Sequence, residues 1–257
     1  MSNIHKAFEK GKAFIGFVTG GDPSIEKTEE FILEMAGAGA DLVEIGIPFS
    51  DPIAEGPVIQ RANIRSLAAL TTADTLFTLT ERLRHKVETP LVFLTYLNPV
   101  FNYGYDRFFK QCQETGVDGI IIPDLPFEEQ GEVREFSSVY GVDLISLIAP
   151  TSEDRIRKIA RTATGFLYLV SSLGVTGVRG EISTDLTSIV NSVRAAAELP
   201  AAVGFGIHTP VQAAEIAKIA DGVIVGSAIV KIIEEHGEDA GSYIYRYVKE
   251  MKDAIRT

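Results

Sequence analysis

Glu44, Asp51 and Glu55 fall close together in the chain but in two different settings. Glu44 interrupts the apolar run Leu42-Val43-Glu44-Ile45, which reads as a parallel strand covered on both faces, where an ionised side chain is costly. Desolvation there raises a carboxyl pKa, so Glu44 is a group able both to donate and to accept a proton near neutral pH. Asp51 and Glu55 sit in the loop that follows, braced by Pro48, Pro52, Gly56 and Pro57. In that polar loop Glu55 is expected to stay ionised, which gives two carboxylates with divided acid and base roles.

The remaining strand-end groups narrow the chemistry. No lysine stands at the C-terminal end of a predicted strand, so a Schiff base has no residue to form on. His5, His85, His208 and His236 are scattered, which argues against a metal site, and His208 reads as an exposed loop residue. Asp22 and Asp124, each beside a proline, read as loop braces. Tyr168 either offers its hydroxyl to the interior or is a core aromatic with its OH on a backbone carbonyl. Glycines follow three successive strands, in Ser171-Ser172-Leu173-Gly174-Val175-Thr176-Gly177, in Phe205-Gly206 and in Gly226-Ser227. Backbone N–H groups at such glycines and at a helix N-terminus suit an anion, so a phosphorylated small molecule is the expected substrate class.

The elements that must position these groups alternate along the whole chain. Strands are predicted at 14–19, 41–46, 91–94, 119–122, 142–148, 166–170, 201–204 and 222–225, with helical patterns between them and two helices, at 58–70 and 73–86, in the second unit. A short amphipathic helix is predicted over the first ten residues. Eight βα units in 257 residues point to one α/β domain over 1–257, a (β/α)₈ TIM barrel with an N-terminal helix and an extra helix in the second unit. A doubly wound open sheet is the competing arrangement.

Composition excludes several classes. The net charge of -11 with no basic stripe argues against nucleic acid. Cys112 is the only cysteine, which leaves no disulfide framework and fits a cytoplasmic setting. The longest uncharged runs contain Gly, Ser and Thr and fall short of the roughly 20 apolar residues of a membrane span.

Taken together these residues resemble the tryptophan synthase alpha subunit over essentially the whole chain. The likeness rests on Glu44-Ile45-Gly46-Ile47-Pro48-Phe49-Ser50-Asp51-Pro52 and Gly174-Val175-Thr176-Gly177, with further matches at Phe17-Val18-Thr19, Tyr96 with Asn98-Pro99, Gly204-Phe205-Gly206-Ile207 and Gly226-Ser227-Ala228. The resemblance implies a lyase of tryptophan biosynthesis that splits indole-3-glycerol phosphate into indole and glyceraldehyde 3-phosphate. It implies Glu44 as the general acid–base residue and Glu55 as the holder of the indole N–H, with Phe17, Leu94, Tyr96, Tyr168, Thr176 and Phe205 as indole pocket and lid; Tyr168, with its hydroxyl, is counted with Glu44 and Glu55 as a catalytic candidate. Gly177, Gly206, Gly226 and Ser227 would hold phosphate. It further implies no cofactor or metal in this subunit and a pyridoxal-phosphate beta partner in an alpha2beta2 complex, met through Asp51, Asn98, Pro99 and Phe101. Two departures stand out: Glu55 replaces the family's aspartate, and Ser172 stands where many bacterial members have arginine. A stand-alone indole-glycerol-phosphate lyase, or a barrel that mainly activates a beta partner, shares the same signatures. The apolar segment Asn98–Tyr103 reads either as that interface or as a packed Ω-loop.

Overall fold

In the computed structural model, which describes residues 2–170, 186–204 and 206–256, eight parallel strands close into a barrel in sequence order, with β8 paired back to β1. The elements are β1 (Ala13–Thr19), α1 (Ile25–Ala38), β2 (Leu42–Gly46), α2 (Pro57–Ala68), α3 (Ala73–Arg84), β3 (Leu91–Leu94), α4 (Leu97–Tyr103), α5 (Tyr105–Thr115) and β4 (Gly119–Ile121). They continue with α6 (Gln130–Val139), β5 (Asp143–Ile148), α7 (Glu153–Ala160), β6 (Leu167–Val170), α8 (Leu186–Arg194), β7 (Ala201–Gly204), α9 (Pro210–Ala217), β8 (Gly222–Val225), α10 (Ser227–His236) and α11 (Gly241–Ala254). The predicted strands agree to within a residue at either end, and the second unit carries its two helices. The open-sheet alternative is excluded by the β1–β8 pairing.

Strand alternation sorts the side chains into two cores. Phe14, Val43, Ile45, Phe93 and Ile120 point outward and pack under the helices. Ala13, Ile15, Leu42, Val92, Ile145, Phe166 and Ala202 point inward and fill the lower barrel. Glu44 follows Leu42 at the period of two, and it pairs in register with Phe17 on one side and Val92 on the other. Its place inside the barrel is therefore a consequence of backbone pleat, not of any local preference.

One sequence expectation is sharpened here and one is decided. The expected short amphipathic helix at the N-terminus is present as a 3-10 turn, Ile4–Phe8, with Ile4 and Ala7 buried and His5 and Lys6 exposed. Ile4 and Ala7 join the interior cluster and Phe8 packs against Phe166, ring centroids 5.8 Å apart, so the turn plugs the bottom of the barrel. The segment Asn98–Tyr103 is the helix α4, not an Ω-loop. Its first N–H, from Leu97, donates to Asp124 Oδ1 at 2.8 Å, a cap supplied by a loop far away in sequence. Asp124 thus braces a neighbouring unit, and Asp22, which accepts two 2.8 Å hydrogen bonds from Arg65, braces another.

Beneath the barrel, buried Asp118 gathers the ends of three segments. Its Oδ1 accepts from the Asn3 N–H (2.9 Å) and its Oδ2 from Arg84 (2.5 Å) and from the Leu91 N–H (3.0 Å). Removing one partner of a buried ion pair costs about 3–5 kcal/mol, so Asp118→Ala is expected to lose stability of that order in urea unfolding. A change below about 0.5 kcal/mol, the range of an ordinary surface substitution, would contradict this account.

Candidate active site

A cavity of about 800 Å³ opens at the C-terminal ends of the strands. Its floor is made by inward side chains one step above the filled interior: Phe17 of β1, Glu44 of β2, Leu94 of β3, Leu147 of β5, Tyr168 and Val170 of β6 and Ile224 of β8. Most of that floor is apolar, and Glu44 is the exception. Only 1% of it is exposed and its Oε1 has no hydrogen-bond partner among the described residues. Burial alone pushes its pKa up to about 8. At neutral pH the carboxyl is mostly protonated, ready to give a proton and able to take one back.

Glu55 lies in the same cavity wall but not in the polar surroundings expected from its loop. It is 9% exposed, and burial raises its pKa to about 7. Opposing that, Asn63 of α2 donates to Glu55 Oε2 at 2.5 Å, which favours the charged form. Burial thus raises both carboxyls, and what sets Glu55 apart is its somewhat lesser burial and the Asn63 donor, which favours its charged form. Gln60 donates to the Glu55 carbonyl at 2.8 Å, so the same helix holds backbone and side chain.

Tyr168 reaches across to β7. A Cβ at Gly204 would stand 2.5 Å from its hydroxyl oxygen, so glycine is what makes room for the phenol. Burial and the neighbouring Glu44 hold the phenol well above its usual pKa, which keeps it a neutral O–H. Tyr96 stands against the loop that carries Glu55. It is not among the cavity-lining residues; its hydroxyl accepts the Ala54 N–H at 3.0 Å and its ring lies 5.3 Å from Phe49, bracing the Ile53-Ala54 wall from behind.

Gly206, Gly226 and Ser227 also line the cavity. Gly206 has φ +81°, a conformation that favours glycine, and Ser227 opens α10, whose N-terminal N–H groups favour an anion. Thr176, Gly177 and Phe205 lie outside the described residues. His208 is half-buried and lines the cavity, correcting the exposed-loop expectation; its Nδ1 is 2.9 Å from the Gly206 carbonyl. Asp51, Asn98 and Phe101 are exposed, Phe101 to 64%, and so is Ile53, to 72%. Pro99 is half-buried.

Sequence reasoning missed Asn63, Ile53, Leu147 and the wall to which Leu125, Phe127, Gln130, Pro150 and Arg155 contribute. Leu147 had a signal, since it stands two residues beyond interior Ile145; Asn63 had only its polarity among Ile59, Ala62 and Ser66. Among the described residues no group of three His, Cys, Asp or Glu is placed to hold a metal ion, and no helix is long and apolar enough to cross a membrane.

A closed (β/α)₈ barrel with two perturbed carboxyls in an apolar cavity at its C-terminal face is the architecture of a barrel enzyme that works by proton transfer. Comparison with known proteins narrows the class. Residues 4–256 match the family described as tryptophan synthase alpha chain. The tryptophan synthase alpha chain of Lactiplantibacillus plantarum is 51% identical over 256 residues, spanning 99% of this chain and 97% of that one. The solved tryptophan synthase subunit alpha of Legionella pneumophila superposes with a TM-score of 0.91 at 40% identity, covering 99% of this chain and 98% of that one. A chain from a Pyrococcus furiosus structure described as a tryptophan synthase complex gives 0.88 at 34% identity, covering 95% and 99%. The chain belongs to the tryptophan synthase alpha chain family.

Burial of Glu44 also makes a prediction about stability. The unfolded chain releases this proton near the usual 4.5, the folded one near 8, so the unfolded state binds fewer protons between those values and stability falls as pH rises through that window. Glu44→Gln removes the loss. Its melting temperature is expected to match the parent at about pH 4 and to exceed it by a growing margin toward about pH 8, at about 1.4 kcal/mol per pH unit. Parallel melting curves across the range would show that the carboxyl is not held neutral.

Proposed function

We infer that this chain carries out the alpha reaction of tryptophan synthase, splitting indole-3-glycerol phosphate into indole and glyceraldehyde 3-phosphate, with Glu44 moving its protons and Glu55 holding the indole N–H. The observation that carries the residue assignment is Glu44: a buried carboxyl, unpartnered among the described residues, on the apolar floor of the cavity. A carbon–carbon bond between an indole ring and a carbon bearing a hydroxyl breaks when the ring carbon gains a proton and the hydroxyl loses one. Protonated Glu44 gives its proton to the ring carbon; the resulting carboxylate takes the hydroxyl proton. The bond's electrons return to the ring, and the former carbinol carbon leaves as the aldehyde. Ionised Glu55 accepts a hydrogen bond from the indole N–H, which pushes electron density toward the carbon that is protonated. Phe17 and Leu94 face the ring, Tyr168 supplies a neutral O–H beside Glu44, and Gly206, Gly226 and Ser227 meet the phosphate. No step of this sequence calls for a cofactor within the chain.

The exposed apolar surface around Ile53, Asn98, Pro99 and Phe101, next to Asp51, is where we place a beta partner. A partner seated there would press on the loop that carries Glu55 and on the helix behind it, and so reach the chemistry through position. A cytoplasmic setting is consistent with the single buried cysteine.

Glu44→Gln is expected to keep the fold and lose about 10²–10⁴ in kcat, the usual contribution of a general acid–base group. Circular dichroism unchanged together with turnover near the parent's would overturn the assignment. Glu55→Asp shortens the side chain by about one carbon–carbon bond, on the order of 1.5 Å. With Glu55 already seated on Asn63, the shorter carboxylate falls short, and kcat/KM is expected to drop by about 10²-fold. A gain in kcat/KM would instead mark this chain as a weakened enzyme.

A further inference from the structure

We propose that Asn63 is a positioning residue for Glu55, pinning one carboxylate oxygen to α2 so that the other is turned to meet a ligand in the cavity. The proposal rests on the reading of Glu55 as the acceptor of the indole N–H. A glutamate has one more rotatable bond than the aspartate of the resembling family and needs more to fix it. Asn63 supplies that constraint at 2.5 Å to Oε2, and Gln60, three residues earlier on α2, fixes the carbonyl of the same residue.

The position itself argues for the role. Asn63 is 5% exposed in the interior of a helix, flanked on the buried face by Ile59, Ala62 and Ser66. Asparagine is a poor helix former, and burying its amide is costly unless it is hydrogen-bonded. Simple packing would favour an aliphatic residue there. The amide is buried because the carboxyl it meets is buried, and each removes the other's unsatisfied polar group.

Electrostatics follow from the same contact. Among the described residues the groups facing the Glu55 carboxyl are Asn63 on α2 and the Tyr96 phenol behind the wall; Glu44 of β2 lies in the same cavity. Burial favours neutral Glu55 and Asn63 favours ionised Glu55. Only ionised Glu55 accepts an N–H with both oxygens as acceptors, so loss of the amide donor raises the pH at which the group becomes competent. A helix displaced by poor packing would instead admit solvent to Glu55, and relief of burial lowers that midpoint rather than raising it.

The test is Asn63→Leu, close in size and without the donor, in protein labelled with ¹³C at the glutamate carboxyls. The Glu55 carboxyl resonance, assigned by its loss in Glu55→Gln, is titrated without substrate, and the acid limb of kcat/KM for indole-3-glycerol phosphate is measured beside it. Expected is an upward shift of the Glu55 midpoint in Asn63→Leu, matched by an equal shift of the acid limb, about tenfold in kcat/KM below the limb for each pH unit. Asn63→Ser, which restores a donor with a shorter reach, serves if Asn63→Leu does not fold and is expected to shift the midpoint in the same direction by less. An unmoved Glu55 midpoint in a folded variant overturns the proposal. If the parent fails to cleave indole-3-glycerol phosphate, the functional reading falls, while the resonance still decides what Asn63 does to Glu55.

Discussion

A carboxyl inside an apolar barrel, with no counter-ion among the described residues, is the constraint on which the rest of the molecule depends. The pleat of β2 puts Glu44 on the inner face, between Phe17 and Val92, and nothing among the described residues neutralises it. Keeping it there has a thermodynamic cost that increases with pH, borne by the rest of the structure. The outer shell of branched and aromatic side chains between strands and helices offsets that cost, as do the buried ion pairs beneath the barrel. Chemistry and stability thus draw on opposite ends of the same strands.

The upper end is not left loose. Asp22, after β1, is buried and receives both arms of Arg65 from α2. Arg65 and Arg61 also reach Glu234 on α10, the helix whose N-terminus faces the cavity. The exposed members of this chain of ion pairs are individually weak, while the buried Asp22 pair fixes α2 against β1. Helix α2 is therefore held from one side by charge and holds Glu55 from the other by Asn63 and Gln60. A single helix sets the distance between the Glu55 carboxyl and the N–H donors at the start of α10.

How much of this was legible in the sequence divides along the range of the forces involved. Strands such as Leu91–Leu94 and Gly222–Val225 could be read because burial on both faces leaves continuous apolar runs, and the rule that function gathers at strand ends then pointed to Glu44 and Glu55. What could not be read depended on contacts made across the fold. Glu55 looked solvated because its neighbours in sequence are polar loop residues; its neighbours in space are Asn63 and an apolar cavity. Tyr96 ties to the same loop from behind, its hydroxyl accepting the Ala54 N–H, a contact that no local pattern announces. Helix α4 was hidden because its cap, Asp124, arrives from the next βα unit, and His208 was misjudged because the ring folds back on Gly206. In each case a side chain from another unit decided the outcome.

The 3-10 turn at the beginning of the chain has a consequence for traffic. With Ile4, Ala7 and Phe8 set into the base and Asn3 tied to Asp118, the described residues fill the lower end of the barrel. Traffic through that end is blocked, and the cavity mouth at the C-terminal ends of the strands is the path left among the described residues. In the proposed reaction two fragments of different character would share one threshold: a flat apolar ring over Glu44, and a charged fragment held at the rim by α10. Departure becomes a queue whose order is set by which fragment stands nearer the opening and how firmly the rim holds it. A docked protein that covered the doorway would inherit control of that queue, and would receive the ring before it ever met water.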